Sequence, residues 1–398
     1  LVDRPVWVDD EHFNPLYHLR HTALPRPGDE RQLKRLAGRI MSQKLDTAKP
    51  MWELWFVEGL ADGRFAVISK VHHCLIDGIS GVDLLGAFMG PDPDHQIEAS
   101  EYPWIPRPAP GALRMLGDEA FRRVSAPGRL LLGATKSLRD PGRTVEEAAH
   151  TAVGFLEAMG RTLVPASETL FNVPIGPHRR FDWTVFDLGV VREVRQRIGG
   201  TLNDVVLTCV AGAVRRFLSD HAADHETDLD GIDFRAFVPV STRRPQQRGR
   251  LGNRVSMLVA NLPVDVPDPK HRAEHVVQMT RKLKSSGQAE GGELLEEISD
   301  VTVPGLIAAM SHLAASRRAF NLVVTNVPGP AVPVYMNGAR LLESYPLVPL
   351  FENQALGIAL FSYDGRLFWG FNSDRDALPD VHDFVHAIDH EFETLRKL

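Results

Sequence analysis

Only two cysteines occur in 398 residues, Cys74 and Cys209, and both lie in apolar stretches of sequence. That scarcity excludes a disulfide framework and any cysteine-based zinc site, and points to a reducing, cytoplasmic setting. No uninterrupted apolar run approaches the ~18 residues that a membrane-spanning helix needs. Positive charge is not in excess either: the formal net charge is -6, so there is no general electrostatic reason to bind nucleic acid. No short internal repeat is visible. What remains is ordinary globular composition, 43% hydrophobic and 24% charged, over a length that suggests two domains.

The most informative stretch is His72-His73-Cys74-Leu75-Ile76-Asp77-Gly78. Its approach, Arg64 to Val71, is rich in β-branched and aromatic residues, and Asp77-Gly78 then breaks the pattern as a turn. On a strand, neighbouring side chains point to opposite faces, so His72 and His73 divide their tasks. His73 falls in phase with Phe65, Val67, Ser69 and Val71, and His72 with Ala66, Ile68 and Lys70. A histidine that stays neutral in a partly apolar pocket can take a proton from a hydroxyl, the requirement for a general base. The competing interpretation is a pair of structural histidines, which the Asp-Gly at this spacing argues against. A Cys74–His73 nucleophilic dyad is geometrically poor on a strand. A metal site at His72, His73 and Asp77 lacks a further ligand nearby.

Elsewhere, Asp29 to Leu45 repeats apolar residues at helical spacing, with Leu33, Leu36, Ile40 and Met41 on one face. Asp62-Gly63 predicts a hairpin into the histidine-bearing strand. Ser80 to Met89 reads as a short helix ending at Gly90-Pro91. Prolines 91, 93, 103, 106, 108 and 110 mark a linker, followed by helices to about Val164. Within residues 111–139, six Lys or Arg face two acidic residues, a local net of +4 beside Leu113, Leu116 and Phe121. Such a basic amphipathic stretch fits either an anionic membrane surface or an ordinary solvated helix pair. Thr201 is the expected N-cap of an apolar helix, with Asp204 in its first turn. Asp364-Gly365, between two apolar runs, predicts a β-hairpin. Long helices among mixed strands indicate an α/β protein. The chain opens at Leu1 on Val2-Asp3-Arg4-Pro5, a pattern that reads as the middle of a structured region, so a longer natural protein is expected.

Taken together these residues resemble the bacterial wax ester synthase/diacylglycerol acyltransferase family, within the superfamily of chloramphenicol acetyltransferase and the condensation domains of peptide synthetases. His72 to Gly78 resembles the superfamily's HHxxxDG motif. Lys49-Pro50-Met51-Trp52-Glu53 resembles the PLW element, with Met in place of Leu, and Leu202-Asn203-Asp204-Val205-Val206 resembles the ND element. Further matches are Pro239-Val240-Ser241, Gly252 to Ser256 with its trailing Asn261-Leu262-Pro263, and Thr325-Asn326-Val327-Pro328-Gly329-Pro330.

The resemblance implies two α/β subdomains, each a mixed sheet flanked by helices, with an active-site tunnel at their interface. The expected divisions are an N-terminal subdomain at 1–95, a Pro-rich and helical linker at 96–178 and a C-terminal subdomain at 179–398. Relatives carry a further strand and helix, with a Ser-Pro-Leu-Asp element, before the equivalent of Val2-Asp3, so the N-terminal subdomain is expected to lack both. The implied reaction moves a fatty acyl group from acyl-coenzyme A, a substrate, to diacylglycerol or a long-chain alcohol, with no cofactor and no metal. By resemblance His73 is the general base, His72 its motif neighbour and Asp77 a structural carboxylate, while Gly78 allows the turn. Asn203, Asp204 and Ser256 are supporting residues; the oxyanion of such a reaction needs donors, which backbone amides or a side chain such as Asn203 or Ser256 can supply, and Asn203-Asp204 also fits simple helix capping. Pro50, Trp52 and Asn326 are placed along the tunnel. The expected location is the cytoplasm, with contact to the inner face of the plasma membrane or to lipid inclusions. Two rival functions remain within the fold: a condensation-type enzyme fed by a carrier protein, and a non-catalytic coat for lipid inclusions.

Overall fold

The computed structural model describes residues 6–75, 86–94, 103–118, 120–121, 164–221, 228–241, 255–285 and 318–398. A short helix α1 (Pro15–His18), capped by the Asn14 side chain, leads into β1 (Leu19–Ala23). Helix α2 (Glu30–Ser42) follows, three residues shorter at its C-terminus than its apolar periodicity suggests. Its start is fixed by a capping box in which Asp29 Oδ1 accepts from the Gln32 amide and Gln32 Oε1 accepts from the Asp29 amide. Next come β2 (Trp52–Glu58) and β3 (Ala66–Val71), joined as expected through Asp62 and Gly63, whose φ angles of 62° and 68° turn the chain. The three strands form one mixed sheet in the order β1-β2-β3, with β1 parallel and β3 antiparallel to β2. Lys70 of β3 donates to the Ile40 carbonyl at 2.9 Å and also to that of Gln43, satisfying acceptors that the end of α2 leaves open.

A larger mixed sheet begins with β4 (Arg179–Asp187). Helices α3 (Leu188–Ile198) and α4 (Leu202–Asp220) follow, then β5 (Phe234–Ser241), β6 (Val255–Leu262), α5 (Pro269–Ser285) and β7 (Leu322–Pro328). A small hairpin, β8 (Tyr335–Met336) and β9 (Ala339–Arg340), precedes β10 (Leu356–Tyr363), β11 (Arg366–Asp374) and α6 (Val381–Arg396). The sheet order is β4-β11-β10-β7-β5-β6. The β10–β11 hairpin turns at Asp364 and Gly365, with φ angles of 44° and 76°, the two positive values that a type I′ hairpin turn requires.

Period-two alternation sorts this sheet into two environments. Ile358 and Leu360 of β10, with Trp369 and Phe371 of β11, pack under the helices against Val210, Val214 and Phe384. Helix α4 is buried along most of its length. There Arg272 Nη2 meets Glu391 Oε2 at 2.7 Å, both side chains being buried. Gly212 makes room for that pair, since a Cβ at this position would sit 2.1 Å from Glu391 Oε2. Cys209 is buried beside it, and desolvation pushes its thiol far above the usual range.

The opposite face carries Phe361, Tyr363 and Phe368, with Val185, Val327, Leu341 and Tyr345 packed on them. Across it runs residues 341–351, a strap with neither helix nor strand. Its main chain lies close on the sheet because two glycines permit it: a Cβ on Gly370 would fall 1.8 Å from the Pro346 carbonyl oxygen, and one on Gly357 2.7 Å from Val348 Cγ1. Tyr363 Oη donates to the Leu341 carbonyl and Asn372 Nδ2 to that of Val348, both at 2.9 Å.

The smaller sheet joins the larger through α2, which runs beside the edge strand β4. Gly38 lies against the Arg179 carbonyl, Ser42 Oγ accepts from the Arg179 amide at 2.8 Å, and Lys34 Nζ meets Asp182 Oδ1 at 2.5 Å. Ser80 to Leu85 of the expected short helix, and residues 122–163 of the expected linker helices, lie outside the described residues. So does most of the basic stretch; in its described part Leu113 and Phe121 are exposed. Among the described residues no helix is long and apolar enough to cross a membrane.

Candidate active site

Strand β3 ends at Val71, one residue before the histidines. The His72 amide makes the last rung, donating to the Met51 carbonyl at 2.9 Å, and the Leu75 amide then donates to the His72 carbonyl at 2.9 Å, closing a turn. The alternation expected for His72 and His73 therefore stops short of them: the turn decides their directions, and both line one cavity. Cys74 also differs from expectation. It is exposed, and its partner is His72 rather than His73, with Sγ 2.9 Å from His72 Nδ1. The Cys74 amide donates to the same nitrogen at 3.3 Å. A ring nitrogen that accepts carries no proton, so neutral His72 holds its proton on Nε2 and its ring is engaged in shaping the turn. Asp77 and Gly78 lie outside the described residues.

The cavity has a volume of about 2230 Å³. One wall is β3, from Ala66 to Val71; a second is the strap-side face of the large sheet; a third is the strap itself, including Tyr345, Leu347 and Phe351. Trp183 of β4 stacks on Tyr345 with ring centroids 4.5 Å apart, and Lys34 Nζ lies 4.7 Å from the Trp183 centroid. Burial, with Glu343 nearby, pushes the Tyr345 phenol well above its usual range, so it stays neutral. Sequence reasoning missed Trp183 and the strap. The run Leu341 to Phe351 is apolar but broken by Pro346 and Pro349, and carries no periodicity to mark it.

Two motif elements meet here. Asn326, at the C-terminal end of β7, lines the cavity, and its Nδ2 donates to Asn203 Oδ1 at 2.8 Å. Asn203 and Asp204 part company within one helical turn. Asn203 is exposed and is not itself among the residues lining the cavity, whereas Asp204 is buried and accepts from the Thr201 amide at 2.6 Å, completing a capping box with Thr201. Asp204 Oδ1 is buried without a hydrogen-bond partner among the described residues. Ser256 pairs with Val240 across β5 and β6, and its side chain is outside the described set. Pro50 and Trp52 are not among the residues lining the cavity. Trp52 stacks on the buried His18, ring centroids 4.5 Å apart, and pairs with Val71 across the sheet. Its place is beneath the strand end that presents the histidines.

An arrangement of two mixed sheets, a cavity between them and a histidine turn at its edge defines a class. The fold is shared with the cyclization-docking bidomain of the EpoB peptide synthetase from Sorangium cellulosum, at 14% identity and TM-score 0.52 over 95% of this chain and 70% of that one. A closer likeness is to the wax ester synthase/diacylglycerol acyltransferase of Marinobacter aquaeolei VT8, with 26% identity and TM-score 0.68 over 99% of this chain and 84% of that one. The family model for the wax ester synthase/diacylglycerol acyltransferase catalytic domain matches residues 1–206, and that for the WS/DGAT C-terminal domain matches residues 251–396. This chain belongs to the wax ester synthase/diacylglycerol acyltransferase family. Among its curated relatives is a protein of Mycobacterium tuberculosis CDC 1551 named as a diacylglycerol O-acyltransferase, 33% identical over 96% of this chain and 74% of the relative. A protein of strain H37Rv named as diacylglycerol O-acyltransferase tgs1 is 31% identical, over 97% of this chain and 80% of the relative.

Proposed function

We propose that the chain is an O-acyltransferase that moves a fatty acyl group from acyl-coenzyme A to diacylglycerol or a long-chain alcohol, with His73 as general base. The observation that carries this reading is the large cavity between the two sheets, walled by apolar side chains and reached at one edge by the histidine turn. An alcohol is a weak nucleophile near neutral pH. As its oxygen attacks the thioester carbonyl, the His73 imidazole takes the hydroxyl proton, worth about 10²–10⁴ in rate. The tetrahedral oxyanion needs a donor, either a backbone amide or the side-chain amide of Asn203, whose Oδ1 accepts from the cavity-lining Asn326. Collapse expels the thiolate, and the imidazolium returns its proton to sulfur, leaving free coenzyme A and an ester. No cofactor is needed. The strap excludes water, which would otherwise compete for the thioester.

The exposed apolar side chains Trp7 and Leu16 near the start, with Trp104 and Ile105 of the segment that packs on Phe13, support a lipid surface as the source of acceptor. Flotation with anionic vesicles at low salt tests that location, and a protein left wholly in the dense fraction argues against it.

The test of the reaction is coenzyme A release from palmitoyl-coenzyme A with dioleoylglycerol or hexadecanol as acceptor. Release that depends on the acceptor and falls by at least about 10² in His73→Ala is expected. Acceptor-dependent release unchanged by His73→Ala would move the base elsewhere, and none with either acceptor would favour a carrier-fed donor or a lipid coat.

A further inference from the structure

On the helix-covered side of the large sheet, away from the cavity, two histidines one turn apart on α6 meet ring to ring. His386 Nε2 lies 3.1 Å from His382 Nε2. The other nitrogen of His382, Nδ1, is 2.8 Å from Asp182 Oδ2, and Asp182 is itself buried on β4 with Lys34 on its other oxygen. Both imidazoles are exposed to solvent.

From this geometry we infer a metal site for a borderline divalent transition cation of the zinc, nickel or copper class, ligated by His382 Nε2 and His386 Nε2. Three features point the same way. Two imidazole nitrogens each about 2.0–2.1 Å from a tetrahedral ion lie roughly 3.3 Å apart, close to the 3.1 Å seen here, so the two rings reach one ion by turning about their side-chain bonds until both nitrogens face it. An i, i+4 pair on a helix holds both rings on one face without further ordering. The Asp182 carboxylate accepts a hydrogen bond from His382 Nδ1–H, which keeps the proton on Nδ1 and leaves the lone pair on Nε2, the carboxylate–histidine–metal arrangement found around biological zinc. Without the ion, the pair shares one proton between the two Nε2 atoms. On binding, neutral His386 shifts that proton to its own Nδ1, so both lone pairs face the metal and no net charge is displaced. Among the described residues no group of three or more His, Cys, Asp and Glu could enclose an ion, so the remaining coordination positions fall to water and the site is open. Its place gives it a consequence for the fold. The line His386, His382, Asp182, Lys34 runs from α6 through the edge strand to α2, so an ion at its outer end tightens the seam between the two sheets.

Isothermal titration calorimetry with zinc chloride on this chain tests the site, with His382→Ala and His386→Ala titrated alongside and their folding checked by circular dichroism. One saturable site per chain is expected, weakened at least about tenfold in either variant. Copper(II) electron paramagnetic resonance adds a readout of ligand number: coupling to two imidazole nitrogens in the parent and to one in His386→Ala. Because zinc binds the folded site, it is also expected to raise the melting temperature of the parent but not of His386→Ala. Equal zinc affinity in parent and variants, or no saturable one-per-chain binding, overturns the assignment.

Discussion

Asn326 Nδ2 donates to Asn203 Oδ1 at 2.8 Å, across 123 positions of sequence. The bond ties the first turn of α4 to the end of β7 at the cavity edge. It also fixes the direction of the Asn203 amide, which turns its nitrogen away from Asn326.

If that pair acts as a unit on the oxyanion, Asn203→Ala and Asn326→Ala each lower kcat more than they raise KM. The double variant then loses little beyond the worse single one, the non-additivity of coupled residues. The pair is exposed, so stability is expected to change by no more than about 1.5 kcal/mol. Strictly additive losses in a double-mutant cycle would show two independent roles.

Gly370→Ala places a methyl group 1.8 Å from the Pro346 oxygen, so the strap must lift. Acceptor-independent coenzyme A release, the mark of water reaching the thioester, is expected to rise relative to acyl transfer. An unchanged ratio of hydrolysis to transfer would mean that the strap does not keep the site dry.

Gly212→Ala drives Glu391 away from α4 and strips the partner from buried Arg272. Breaking a buried ion pair costs about 3–5 kcal/mol. Urea denaturation is expected to show an unfolding free energy lowered by that amount, through a lower midpoint at an unchanged slope.

Lys70→Met removes the donor to the Ile40 and Gln43 carbonyls and costs roughly 1 kcal/mol near neutral pH. Burial holds the Lys70 ammonium below its usual range, with Glu53 partly opposing. Between the lowered folded value and the ordinary value of about 10.5 the unfolded chain binds more protons, so the contribution of Lys70 grows as pH rises through that alkaline window. Thermal melts of parent and variant should diverge across it. Curves that converge instead would contradict the direction of the shift.

Much of the fold was legible because its signals are local. The Thr201 cap, the Asp62-Gly63 and Asp364-Gly365 turns and the apolar face of α2 each declare themselves within a few residues. The site was legible in composition but not in direction. The alternation read through His72 and His73 overruns the strand by two residues, because nothing in the sequence marks Val71 as the last strand residue. Trp52, placed along the tunnel on the strength of the motif, instead stacks on His18, a partner 34 positions away. The bond between Asn203 and Asn326 depends on how β7 sits beside α4, which no spacing encodes.

Strand β4 ends the large sheet, and α2 lies along it, with the Arg179 carbonyl against Gly38 and the Arg179 amide on Ser42 Oγ. Cutting the chain between the two sheets would therefore do more than divide the cavity. It would uncover the outer backbone of Arg179 to Asp187, a nine-residue run with Phe181, Trp183, Val185 and Phe186, as a template for strand addition from another chain. The same helix that helps bring the histidines to the cavity thus guards the C-terminal half against self-association, and the two halves are bound to each other by solubility as well as by chemistry.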